Sequence, residues 1–147
     1  MKSFWFIVIL FCLVSVLAAS AVDIWISGRI AIFGSFVGLH YSLNPGIAWG
    51  IRLPRGVQEV LILGALVLVA HMAKSAKTTV SKQAYALVIG GGLANVIDRL
   101  RDGYVTDFFQ IGSFPIFNVA DMCVSIGVAL LLVEAVFPKI LPFQKGK

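Results

Sequence analysis

The stretch from Phe4 to Val22 runs for 19 residues without one charged side chain. A helix needs about 20 consecutive apolar residues to cross the hydrocarbon core of a bilayer, so this run predicts a first membrane-spanning helix over about 4–22. Three more segments follow the same rule, at about 57–73, 83–97 and 116–137, the last ending at Pro138. Charged residues make up 13% of the chain, against about 25% in an ordinary soluble domain. The expectation is one integral membrane domain over 1–147. A cleavable signal peptide competes for the first run, because Lys2 gives a basic start and Ala19-Ser20-Ala21 resembles a cleavage site. The run exceeds the 7–15 residue apolar core of such peptides, which favours a retained helix.

The net charge of +5 is distributed as topology rather than as a nucleic-acid surface, and no nucleic acid is expected as a partner. All seven Lys lie at the N-terminus, between the second and third spans, or in the C-terminal tail, whereas the five Arg lie in the other two connections. Basic residues close to span ends mark the cytoplasmic side, so both termini are expected there. The region 23–56 then lies outside. It alternates glycines and prolines with β-formers such as Ile30-Ala31-Ile32-Phe33 and Ser35-Phe36-Val37, which predicts a small sheet-like element. An irregular loop is the alternative. Residues 98–115 read as a connector with polar groups among aromatics. The expected fold is a membrane all-α architecture of four transmembrane helices, with a small extracytoplasmic β-like element between helices 1 and 2.

Four of the seven acidic residues fall between Asp98 and Asp121, all on the predicted outer side. Ionisable groups in or beside membrane segments are costly and tend to mark function. Asn95, Asp98 and Arg99 share a helix face if the third helix continues through them. Asp98 with Arg101, or Arg99 with Asp102, offers a pairing that would make this cluster structural. Arg99 is also suited to gripping a peptide carbonyl or a phosphate. Asn118 is placed as the N-cap of the fourth helix, and Asp121 lies in its first turn, where the helix dipole stabilises negative charge. Capping alone would account for Asp121. Asp107, among Tyr104, Phe108 and Phe109, has no such explanation. Two carboxylates sharing a proton across one water are sufficient for acid–base hydrolysis. Cys12 and Cys123 read as small residues in apolar surroundings rather than a disulfide. His40 and His71 stand alone, so neither a metal site nor a cofactor is expected.

Four short stretches in order, Asn44 to Gly50, Gly91 to Arg99, Tyr104 to Phe108 and Phe117 to Asp121, together resemble the lipoprotein signal peptidase (signal peptidase II) family. The resemblance covers about Asp23 to Glu134. It implies a bacterial inner-membrane aspartic endopeptidase with four helices and an extracytoplasmic β-cradle. Such an enzyme cuts the signal peptide from a diacylglyceryl-modified prolipoprotein just before the lipidated cysteine, near the outer leaflet. The resemblance implies Asp107 and Asp121 as the catalytic pair and Asn44, Asn95, Arg99 and Asn118 as substrate-lining residues. Asp98 and Asp23 would be structural polar groups. Membrane lipid and prolipoproteins are the implied partners, and the protein is expected to act as a monomer. Two positions depart from the family pattern. Ser27 stands where a lysine usually follows four residues after the aspartate matching Asp23, and Ala94 stands where a glycine usually precedes the asparagine matching Asn95.

A non-enzymatic protein that holds lipidated peptides is the rival reading. It would need Asn44 and Arg99 but not both aspartates. A small transporter should show internal repeat symmetry, which the chain lacks.

Reporter fusions at Lys147 and Gly38 should report opposite sides of the membrane. A mature N-terminus near Val22, found by mass spectrometry, would overturn the retained first helix and leave three spans.

Overall fold

The computed structural model describes residues 2–46, 54 and 56–137. In chain order the elements are α1 (Lys2–Trp25), β1 (Arg29–Phe33), β2 (Val37–Asn44), α2 (Val57–Ala73), α3 (Thr79–Asp102), β3 (Val105–Ile111) and α4 (Val119–Val136). Among the described residues, α1 and α4 are long and apolar enough to cross a membrane, and α2 is apolar but shorter. Their large apolar side chains face outward. Phe6, Ile9 and Leu17 on α1, Val60, Val67 and Leu68 on α2, and Leu132 on α4 are all exposed. In water such a surface would be untenable; against acyl chains it is the lower-energy arrangement.

α3 is the axis of the bundle and packs against α1, α2 and α4. Its glycine triplet explains how. Successive residues of a helix turn by about 100°, so three in a row point at three different neighbours. A Cβ on Gly90 would meet the Val8 carbonyl oxygen of α1 at 2.9 Å, and one on Gly92 would meet Leu66 Cδ2 of α2 at 2.5 Å. A Cβ on Gly91 would run into the Ala120 carbonyl oxygen of α4. Further along the α3–α4 seam, Gly127 lies against Ala84 in the same way, its Cβ position 2.6 Å from the Ala84 oxygen. With no hydrophobic force between helices in lipid, close backbone approach is what holds them together.

Both ends of α3 are capped. Thr78 accepts from Ser81 N at 2.9 Å at its start. Gly103, at φ 92°, closes its end in the left-handed conformation by donating to the Arg99 carbonyl at 2.7 Å. Only glycine adopts that geometry without strain.

Among the described residues the sheet has three antiparallel strands in the order β1-β2-β3. Its first two strands match the expected element between the first two helices. The third corrects the expectation: β3 comes from the 98–115 segment, read above as a connector. The polar Thr106, Asp107 and Gln110 masked a run of strong β-formers. The pairing is interrupted between Leu39 and Ser42, where β2 bulges just before Ser42 meets Asp107.

Helix boundaries also shift. α3 extends beyond 83–97 at both ends, because its caps lie outside the apolar core. α4 starts at Val119, since Phe117 is still paired with Phe109 as an isolated bridge. Asp23 belongs to the last turn of α1 rather than to the outer element. Ile47–Gly50 of the Asn44-to-Gly50 motif, and Pro138, lie outside the described residues.

The packing separates two glycines that look alike in sequence. Gly91→Val should lower the melting temperature in detergent by the about 1–3 kcal/mol typical of overpacking. Gly64, with nothing within 4 Å of its Cβ position, should accept Ala with a gain of about 0.5–1 kcal/mol. Equal responses at the two positions would refute the close-approach account.

Candidate active site

The C-terminal ends of α1 and α3, the N-terminal end of α4 and the sheet meet at one end of the bundle, and the polar residues singled out by sequence are concentrated there. Asn118 is the hub. As N-cap of α4 it accepts from Asp121 N at 2.9 Å, and its own backbone N–H donates to Asp121 Oδ2 at 3.3 Å. This reciprocal pair is a capping box. The Asn118 amide nitrogen then donates twice, to Asp107 Oδ1 at 2.9 Å and to Asn95 Oδ1 at 3.2 Å. Asn95 completes the ring by donating to Asp121 Oδ1 at 2.9 Å.

Asp107 reaches the same place from β3. Side chains on a strand alternate between faces, so Asp107 shares a face with Val105, and Asn44 shares that face from β2 because it pairs with Val105. Diagonal neighbours of this kind are within reach of one another, and Asn44 Nδ2 donates to Asp107 Oδ2 at 3.0 Å. Asn44 Oδ1 in turn accepts from Gly46 N at 2.9 Å, an Asx turn that ends the strand. Arg99 is buried. It donates to the Gly46 carbonyl at 2.5 Å and to the Asn95 carbonyl at 3.4 Å, while its Nε has no partner among the described residues.

Asn44, Asn95, Asp107, Asn118 and Asp121 therefore form one hydrogen-bonded assembly, with Arg99 fastened to its edge through the main chain of Asn95 and Gly46. Asp107 and Asp121 line a cleft of about 500 Å³. Its polar end holds Asn44 and the two carboxylates. Its apolar walls are Phe114 to Phe117 together with Met122 and Ile126 of α4.

Asp98 and Asp23 lie elsewhere. Asp98 does not face Asn95's partners; its Oδ2 accepts from Thr106 N at 2.7 Å. Asp23 accepts from Thr106 Oγ1 at 2.8 Å and forms an ion pair with Arg101. The Asp98–Arg101 pairing weighed from sequence is present only at 3.9 Å. Instead of pairing with Arg99, Asp102 accepts from Tyr104 N at 2.9 Å. Sequence reasoning missed Thr106. No signal in the sequence pointed to it, because the segment that forms β3 reads as a connector. Cys12 and Cys123 are free thiols.

Burial first, then the neighbouring Asp121 charge, push the Asp107 carboxyl up to about 7; hydrogen bonds from Asn44 and Asn118 and the Arg99 charge act the other way. A carboxyl that keeps its proton near neutral pH beside a second carboxyl is equipped for acid–base work.

Residues 4–137 match the signal peptidase (SPase) II family. The chain belongs to the signal peptidase II family. It is similar to a lipoprotein signal peptidase of Moorella thermoacetica, 36% identical over 110 residues that cover 73% of each chain. A lipoprotein signal peptidase of Haemophilus influenzae is 45% identical over 108 residues, covering 66% of this chain and 63% of that protein. In structure it is similar to a bacterial membrane enzyme solved by the in meso method at 2.3 Å resolution. The TM-score is 0.86 at 22% identity, covering 100% of this chain and 95% of the other. That likeness establishes the shared fold of helices and sheet. Membership of the family makes this chain a membrane-bound peptidase.

The raised Asp107 carboxyl links stability to pH. Its folded-state value lies above the ordinary 3.8, so its protonated form favours folding. That contribution is complete below about pH 4 and is lost as pH rises through about 7. Thermal unfolding in detergent should show wild type losing more stability between about pH 5 and about pH 8 than Asp107→Asn, whose amide cannot ionise. Parallel curves would show that Asp107 does not carry the raised carboxyl.

Proposed function

We propose that this chain is an aspartic endopeptidase of the bacterial inner membrane that removes the signal peptide from diacylglyceryl-modified prolipoproteins, cutting just before the lipidated cysteine. The observation that carries this reading is the pair of carboxylates, Asp107 and Asp121, lining one cleft and joined through Asn118. All four helices cross the bilayer, α3 shielded by the other three. Both termini are cytoplasmic, and the cleft opens near the outer leaflet. The protein works as a monomer without a cofactor.

The two carboxylates divide the labour by environment. Asp107, protonated near neutral pH, is the acid; Asp121, at the positive end of the α4 dipole, is the base. Asp121 takes a proton from a water as its oxygen attacks the scissile carbonyl carbon. Asp107 gives its proton to the carbonyl oxygen, forming a neutral gem-diol. Collapse of the gem-diol breaks the C–N bond. One carboxyl protonates the departing cysteine nitrogen, and the diol proton returns to the other. Asn118 and Asn95 keep both carboxylates oriented throughout. Asn44, at the end of β2, and Arg99, through the Gly46 carbonyl, hold the strand end along which an extended substrate would lie. The apolar walls formed by Phe114, Met122 and Ile126 suit the substrate's acyl chains, because they continue into the lipid-facing side of α4.

Asn is nearly isosteric with Asp but cannot exchange the proton. In proteoliposomes with a lipidated prolipoprotein, Asp107→Asn and Asp121→Asn should each abolish cleavage while the protein stays folded. The double variant should be little worse than either single, since the two act as a unit. Either single variant keeping more than about a tenth of the wild-type rate, a barrier change of only about 1.4 kcal/mol, would remove that residue from the mechanism.

A further inference from the structure

Asp107 is held from the side opposite the cleft. Thr106, the residue before it, is 1% exposed. Its backbone N–H donates to Asp98 Oδ2 at 2.7 Å and its hydroxyl to Asp23 Oδ1 at 2.8 Å. The other Asp23 oxygen is bound by the Arg101 guanidinium, which also donates to Ser20 Oγ at 3.3 Å. α1, α3 and β3 are thus tied at one point. On a strand, consecutive side chains face opposite sides, and a slip of one residue would exchange them. Fixing the Thr106 side chain toward Asp23 therefore fixes Asp107 toward the cleft. The tie adds to the β-ladder, which pairs Ser42, Leu43 and Asn44 with Asp107, Thr106 and Val105 but is interrupted on the other side of Asp107, between Leu39 and Ser42. Bulges re-aim side chains and weaken local register.

The cation in this tie does not come from the helix that carries Asp23. Four residues after Asp23 the chain has the uncharged Ser27. Residues four apart on a helix reach one another, and Ile26 N still donates to the Val22 carbonyl at 2.9 Å, so the helical path nearly extends to Ser27. Yet the charge opposite Asp23 arrives from α3, on Arg101.

We infer that Arg101, Asp23 and Thr106 are positioning residues that aim Asp107, with the cation opposite Asp23 supplied from α3 by Arg101. The Arg101 charge holds the Asp23 carboxylate so that one oxygen remains turned to the Thr106 hydroxyl. The carboxylate orients Thr106, and the pleat transmits that orientation to Asp107. The inference rests on the reading of Asp107 as the acid of the pair.

The test uses the full chain in proteoliposomes with a lipidated prolipoprotein, measuring kcat, KM and melting temperature. Arg101→Gln should lower kcat roughly ten- to a hundredfold, the scale of a misplacement of about 1 Å, with KM little changed. Thr106→Val, which keeps the shape but loses the hydroxyl, should do the same. Combining the two should add little, because both break one chain of contacts. Ser27→Lys placed on Arg101→Gln should restore most of the lost kcat, as should Arg101→Lys. Wild-type kcat per folded molecule in Arg101→Gln, with only the melting temperature lowered, would reduce the tie to a structural brace. A loss of kcat that Ser27→Lys and Arg101→Lys both leave unrepaired would equally overturn the inference. Asp107→Asn, assayed alongside, keeps the two readings apart. If it is inactive while Arg101→Gln turns over normally, only the positioning inference falls; if it is active, the reading of Asp107 falls first.

Discussion

The molecule depends on how closely α3 and α4 approach at Gly91. That glycine lets the Ala120 carbonyl of α4 rest almost on the α3 backbone. Asn95 lies one turn further along α3, and Asp121 is the residue after Ala120. The contact of two backbones thus sets the contact of two side chains, the 2.9 Å bond from Asn95 to Asp121. A methyl group at Gly91 would force the helices apart and lengthen that bond beyond usefulness. Gly90 and Gly92 do the same for α1 and α2, so the axial helix is seated on three sides within one turn.

From this seat the polar assembly is built at low cost. Helix ends carry unsatisfied backbone groups in any case. The N-terminus of α4 has N–H groups in need of acceptors, and Asp121 and the Asn118 side chain supply them. The one feature that helix ends cannot provide is a second carboxyl facing the first. β3 brings it in laterally, across the start of α4, with Phe117 bridging to Phe109. Each polar atom added to the cluster then has a named partner, apart from Arg99 Nε. Buried polar groups without partners are what a membrane protein tolerates least.

The helices were legible because lipid imposes a simple rule, a length of apolar sequence; α2 follows it to the residue, and α1 overruns it at both ends. The two aspartates stood out because charge is scarce in such a chain. β3 was not legible. Its period-two signal is obscured by Thr106 and Asp107, which are polar for reasons that exist only in the folded state. The partner of Arg101 was hidden for a related reason. Helical spacing offers Asp98, three residues away, whereas the bond goes to Asp23 on another helix, 78 positions distant. Local spacing describes which pairs are possible within an element and is silent about pairs made between elements. The double donation by Asn118 was likewise outside its reach: an N-cap is readable from sequence, but the second function of its amide depends on where β3 lies.

The end of the bundle away from the sheet shows the same economy applied to stability alone. Glu134 of α4 lies against the start of α3, where Thr78 and Ser81 donate to its two oxygens at 2.8 and 2.5 Å. A carboxylate held at a helix N-terminus recurs here as at Asp121, with hydroxyl donors in place of amide donors. The difference is what else is present. At the Glu134 clamp, the two hydroxyls hold the carboxylate closed between the helices. At the opposite end a strand adds a second carboxyl and a cleft, and the amide donors hold the carboxyls in place without covering the cleft. Helix capping in this fold therefore serves two ends differently. Where the cap is closed it fastens two helices, and where a strand joins it a pair of carboxyls lines a cleft.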